Sequence, residues 1–249
     1  MVSVTFRDLV EGTRLVERTK EGVLANLASV RSRIARTCER AGREVESVRL
    51  VAIGKGVEAQ ALGWVREAGV EDLGENYVRE LRDKHDAVSG ARWHFVGTLQ
   101  ESGAYHVAEL ADVVQTVVPG KGMHRLARRA ADRDRRLPAL VEVDFTGERT
   151  GVRPQEVVAA CDEVAGTDGL ELAGLMTLPP QTPAAEQARP YFRDLRALLG
   201  DVAERHPGAV ELSMGMSFDY EVAIEEGATM VRIGTALFGA RPSASTGRT

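Results

Sequence analysis

The sequence predicts a single (β/α)8 barrel preceded by N-terminal helices. Three observations predict it. Eight short apolar runs recur along the chain, helix-like segments separate them, and most runs are apolar almost throughout rather than alternating. Regular β–α alternation implies parallel strands, and continuous apolar strands imply burial on both faces. The length of 249 residues suits a fold whose usual size is about 250 residues. A doubly wound open sheet is the alternative, but no G-x-G-x-x-G follows the first strand.

Residues 9–41 carry apolar side chains at helical spacing (Leu15, Val16, Val23, Leu24, Leu27, Val30, Ile34) with Arg and Glu between them, which predicts one or two amphipathic helices. The predicted strands follow as "VRLVAIG" at 48–54, "VEDLGEN" at 70–76, "WHFVG" at 93–97 and "VVQTVV" at 113–118. The second half adds "LPALVEVDF" at 137–145, "LELAGLMT" at 170–177, "VELSMGMS" at 210–217 and "MVRIGTALFG" at 230–239. Segments 58–68, 122–134, 154–165, 187–206 and 220–226 read as helices between them. No Gly-, Ser- or Pro-rich linker divides the chain, and "TLPPQTP" at 177–183 follows a strand as a βα loop does. The expected organisation is therefore one domain over 1–242, with a helical segment at 1–45, the barrel at 46–240 and a flexible tail at 243–249.

Composition narrows the function classes. A formal charge of −5 gives no global attraction to nucleic acid or an anionic membrane, and the basic stretch 125–136 reads as the solvated face of a helix. No run of about 18 apolar residues predicts a membrane span, and the N-terminal segment lacks the apolar core of a signal peptide. Two distant cysteines, Cys38 and Cys161, argue against a disulfide framework or a zinc site and suit the reducing cytosol.

In a (β/α)8 barrel the reactive groups come from the C-terminal ends of strands, and phosphate is often held after strands 7 and 8. Lys55, one of four lysines, follows the first apolar run and stands between Gly54 and Gly56. Either it reaches solvent like most strand-end lysines, or partial desolvation favours the neutral amine, a nucleophile toward a carbonyl. The seventh and eighth runs supply Ser213, Gly215 and Ser217, then Arg232, Gly234 and Thr235. Their glycines either let backbone N–H groups approach an anion or merely permit tight turns. An amine and a phosphate cradle in one cavity suit an aldehyde-bearing phosphate. Asn76 reads as the cap of the following helix, His94 as a satisfied core residue, and Asp219 and Glu221 as first-turn acids.

Taken in order, "AIGKG", "LGENYVRE", "WHFVGTLQ", "GLMTLP", "LSMGMSFDYEVAI" and "MVRIGTALFGAR" resemble the YggS/PROSC family of pyridoxal 5′-phosphate homeostasis proteins from Val48 to Arg241. The resemblance implies a barrel similar to the N-terminal domain of alanine racemase, holding pyridoxal 5′-phosphate as an aldimine on Lys55. By position, Ser213, Ser217, Gly234 and Thr235 match the phosphate-binding loops, Arg232 the arginine facing the pyridine nitrogen, and Asn76, His94 and Met176 the pocket lining. It implies cofactor storage, buffering or delivery, with apo-enzymes as recipients and a monomeric protein. The racemases add a β domain carrying a tyrosine base, and the chain ends soon after strand 8, so little or no turnover is expected. A racemase-type enzyme or a Schiff-base aldolase is the alternative, and a cofactor-sensing interaction protein a further one. Glycines on both sides of the lysine depart from the family pattern and predict a looser anchor with faster cofactor release.

Overall fold

The computed structural model describes residues 18–240. The parts of the predicted N-terminal helix before residue 18 and the predicted tail lie outside the described residues. Each of the eight predicted runs meets a strand, the third beginning one residue before its run: β1 Arg49–Ile53, β2 Asp72–Glu75, β3 Arg92–Phe95, β4 Val113–Val117, β5 Leu137–Val143, β6 Leu170–Thr177, β7 Glu211–Met216 and β8 Met230–Ile233. They pair in chain order, and β8 pairs with β1, closing a parallel barrel.

Helices fill the connections. They are α1 Lys20–Arg40, α2 Ala59–Glu67, α3 Val78–His85, α4 Ala104–Leu110, α5 Lys121–Ala131, α6 Val157–Ala165, α7 Arg189–Ala203, α8 Tyr220–Glu225 and α9 Thr235–Phe238. The predicted helix at 154–165 begins instead with a 3-10 turn over Pro154–Glu156. The last predicted run is shorter as a strand, because the chain turns at Gly234 into α9. Helices α3 and α4 go beyond the segments read as helical: α3 buries only Leu81 and Lys84, and α4 has seven residues, so neither offers two turns of apolar periodicity.

Helix α1 compensates for the brevity of α9. Thr19 caps its N-terminus by accepting the Gly22 N–H at 3.1 Å, a bond worth about 1 kcal/mol. Val23, Leu27, Val30, Ile34 and Cys38, spaced three or four apart, form its buried face. That face packs on α2, α8 and α9, and Asn26 donates to the Leu237 carbonyl at 3.0 Å. The single turn of α9 would leave the β8–β1 seam open, and α1 covers it.

The main core lies between strands and helices, and a small inner cluster of Val51, Val113, Leu140, Met176 and Met230 fills part of the barrel interior. The rest of the interior is polar: Asp72, His94, Gln115, Glu142, Thr177, Ser213 and Arg232 are all buried. The basic stretch at 125–136 is neutralised locally. Arg129 and Arg133 pair with Glu109, Arg125 with Glu101, and Arg135 with Asp112.

Candidate functional site

Strand β1 delivers Lys55 to the C-terminal mouth of the barrel, on the turn Gly54-Lys55-Gly56. Both glycines are required there. A Cβ on Gly54 would lie 2.4 Å from Glu75 Oε1 and 2.7 Å from Leu62 Cδ1, and Gly56 adopts φ +67°. The turn is also tied at both glycines. Lys84, buried on α3, donates to the Gly54 carbonyl at 2.8 Å, to Glu75 Oε1 at 2.7 Å and to Glu80 Oε2 at 2.6 Å. Glu80 in turn accepts the Gly56 N–H at 2.7 Å. A glycine-flanked turn is thus a clamped one, and the geometry offers no support for the looseness expected from composition.

Electrostatics differ between the two carboxylates of this clamp. Burial pushes Glu75 up to about 7, with Lys84 opposing it, and Glu75 Oε2 has no hydrogen-bond partner. Burial also acts to raise Glu80, but Lys84 and the Gly56 N–H outweigh it and hold that carboxyl below the usual range. The Lys55 ammonium stands 4.8 Å from the centroid of the half-exposed Tyr77 ring, a cation–π contact at the rim.

Facing Lys55 are the turns after β7 and β8. Ser217 Oγ accepts the N–H groups of Gly234 at 3.3 Å and Ala236 at 3.1 Å, joining the two turns. Gly215 and Gly234 answer the sequence question differently. Gly215 has φ +89°, and a Cβ there would sit 2.6 Å from Ala223 Cβ and 2.9 Å from Tyr220 Cα, so it is a turn residue. Among the described residues a Cβ on Gly234 would meet nothing closer than 3.5 Å, at Ile53, so none of their atoms explains this glycine. Space is left there beside the cavity.

Arg232 lies buried at the cavity floor. It donates to Ser213 Oγ at 2.5 Å and to the Thr177 carbonyl at 2.8 Å. Burial pulls it down to about 10, with Asp219 and Glu142 opposing, so it stays a cation at neutral pH. Asp219 heads α8 as the sequence predicts, but it is buried, and its Oδ1 accepts the Met216 N–H at 2.7 Å. Burial raises its carboxyl, against that bond and the charge of Arg232.

A cavity of about 290 Å³ joins these groups. Of the residues read from the sequence, Lys55, Asn76, Ser217, Arg232, Gly234 and Thr235 line it. Asn76 is not the helix cap: Tyr77 occupies that position, and the Asn76 amide reaches toward the Val96 carbonyl at 3.5 Å. Ser213, His94 and Met176 do not line the cavity; all three are fully buried, Met176 in the inner apolar cluster and the other two in a polar layer. The wall also includes Asp219, the loop 178–182 and Arg18, none of which the sequence reading placed in the site. The proline-rich loop carried the signal of a βα connection, whereas Arg18 carried none. It donates to the carbonyls of Gly56 at 3.2 Å and Phe238 at 3.3 Å, and its Nη2 is buried with no hydrogen-bond partner among the described residues. A second cleft of about 570 Å³ adjoins Lys55 and Asn76 on the side of Tyr77 and Gly103.

The alanine racemase N-terminal domain family matches residues 25–242. The pyridoxal phosphate homeostasis protein of Aquifex aeolicus is 36% identical over 220 residues, covering 86% of this chain and 96% of the relative. Its counterpart in Pseudomonas aeruginosa is 39% identical over 228 residues, covering 88% and 96%. The chain belongs to the pyridoxal phosphate homeostasis protein family. Among solved structures, PipY of Synechococcus elongatus with PLP bound superposes with a TM-score of 0.77 at 29% identity, covering 87% of this chain and all of PipY. The family and the closed barrel are therefore those the sequence motifs indicated. Among the described residues no helix is long and apolar enough to cross a membrane.

Proposed function

We propose that this protein binds pyridoxal 5′-phosphate on Lys55 and serves intracellular homeostasis of that cofactor by storing, buffering or delivering it, with little or no turnover. The observation that carries the reading is the sharing of one cavity by Lys55 and the joined turns at Ser217, Gly234 and Thr235. The names of the relatives and the cofactor bound to PipY support it. The residues fit the group. Among the described residues no atom requires the space beside Gly234 and none pairs with the buried Nη2 of Arg18, and Ser217 and Thr235 supply hydroxyls. All of these suit a phosphate.

When bound, the cofactor supplies an aldehyde and an electron-withdrawing ring. The Lys55 amine would supply the nucleophile that holds that aldehyde covalently and reversibly, with water as the group released. The Gly54–Gly56 turn, pinned by Lys84 and Glu80, fixes where that amine emerges. Arg232 would stand at the pyridine nitrogen, where a cation disfavours protonation of the ring and weakens it as an electron sink. That suits a carrier better than carbanion chemistry. Proteins that need the cofactor are the recipients in this reading, the compartment is the cytosol, and the closed helical shell suits a monomer.

Borohydride reduction of the loaded protein followed by peptide mapping should place the phosphopyridoxyl group on Lys55. An adduct elsewhere, or none, would remove the reading. Sustained racemisation of an amino acid, abolished by Lys55→Ala, would replace the carrier with an enzyme.

A further inference from the structure

The barrel interior holds a continuous hydrogen-bonded chain that ends at Arg232. Arg232 Nη1 donates to Ser213 Oγ at 2.5 Å, Ser213 Oγ to Gln115 Oε1 at 2.6 Å, and Gln115 Nε2 lies 2.8 Å from His94 Nδ1. His94 Nε2 lies 2.8 Å from Asp72 Oδ1, and Asp72 also pairs with Arg92 Nε at 2.8 Å. Asp72 and Arg92 open β2 and β3, so the chain runs from the N-terminal floor of the barrel, where Arg92 meets solvent, to the cavity. His94, Gln115 and Ser213 are fully buried.

The chemistry of the two ends fixes its direction. A guanidinium only donates, so the Ser213 hydroxyl must accept from Arg232 and pass its own hydrogen to Gln115 Oε1. That turns the Gln115 NH2 toward His94 Nδ1, which therefore accepts. The remaining ring hydrogen sits on Nε2 and goes to the Asp72 carboxylate, which only accepts in its charged form. Burial acts to raise Asp72, but His94 and Arg92 outweigh it and hold it low. Each link thus determines the next, from cation to anion.

We propose that Ser213, Gln115, His94 and Asp72 are positioning residues that hold the Arg232 guanidinium at the cavity floor through this one-way chain. What Arg232 faces rests on the cofactor reading above; the chain does not. Ser213 and His94 then act from beneath the site rather than on a phosphate or as pocket lining. Without the chain, the Thr177 carbonyl would be the only hydrogen-bond partner left to that side chain among the described residues. Asp219 and Glu142 are the charged groups that bear on it electrostatically.

Long-range 15N–1H NMR of the labelled protein without cofactor tests the chain directly. His94 should carry hydrogen on Nε2 and none on Nδ1 at neutral pH; a hydrogen on Nδ1 overturns the proposal. In Ser213→Ala the Gln115 amide is released, the His94 ring signals should move, and Ser213→Thr should restore them. His94 signals unchanged in Ser213→Ala would show that the links are uncoupled and also overturn it. With 15N-labelled pyridoxal phosphate, Ser213→Ala should shift the ring-nitrogen signal and weaken binding about tenfold, as expected for one lost charge-assisted bond, with rescue by Ser213→Thr. An unmoved ring nitrogen would contradict control of Arg232. If the wild type binds no cofactor, the functional reading fails, and the His94 measurement alone decides the chain.

Discussion

Gly234 and Gly215 look alike in the sequence and differ in the structure. Gly215 has a left-handed φ, and a Cβ there would crowd Ala223 Cβ and the Tyr220 backbone, so Gly215→Ala should destabilise the fold by about 1–3 kcal/mol through strain and overpacking. Gly234→Ala should leave stability within about 1 kcal/mol, since its Cβ meets only ordinary contacts, yet weaken pyridoxal phosphate binding at least tenfold by filling the phosphate space. Urea denaturation and a cofactor titration separate the two. Unchanged affinity in Gly234→Ala would show that the space serves no ligand. The same distinction applies at Lys55, whose neighbours are glycine because Glu75 and Leu62 crowd one and a positive φ demands the other. Composition suggested mobility there because sequence does not display a close approach.

At the scale of elements, the short α3 acts as a clamp. It carries Glu80 and Lys84 one turn apart, and these grip the Gly54–Gly56 turn from both sides. Lys84→Met would leave the Glu75 carboxyl buried without its cation. The expected cost is about 3–5 kcal/mol in chemical denaturation at pH 8, where the wild-type Glu75 is charged, and a loss below about 1 kcal/mol there would show that the network contributes little. This helix is also where sequence reading stopped short. The eight strands were legible because continuous apolar runs survive any choice of neighbours, and the long α1 because its buried residues repeat every three or four. Helix α3 shows no such stripe, since its buried face includes a lysine whose partners come from β2 and the β1 turn. The wall of the cavity was legible where a strand end announces it, at Lys55, Ser217, Arg232, Gly234 and Thr235. It was not legible at Arg18 or Asp219, whose places follow from the closing of the ring. The depth of Ser213 and His94 below the cavity likewise depends on strand register.

For the whole molecule, a barrel that is polar on part of its inside carries a pH signature. Burial pushes both Glu75 and Glu142 up to about 7, so each holds its proton to higher pH in the folded chain than in the unfolded one. Their contribution is present below the ordinary carboxylate range and is lost as pH rises toward about 7. Asp72, Asp144 and Glu226 are held low and act in the opposite sense, losing their contribution as pH falls. Glu142→Gln removes one rising-pH loss. Relative to the wild type it should gain up to about 3 kcal/mol between pH 4 and pH 8, read from urea midpoints at the two values. A constant difference between the two proteins across that range would show that folding leaves the Glu142 carboxyl at its ordinary value.

In the proposed role the clamped turn presents Lys55 as the covalent anchor of the cofactor. Absorption spectra of the purified protein titrated with pyridoxal phosphate, beside those of Lys55→Ala, test it most directly. The wild type should convert the free aldehyde spectrum into a new saturable band that Lys55→Ala never develops. The same band in both proteins, or no spectral change in either, would contradict it.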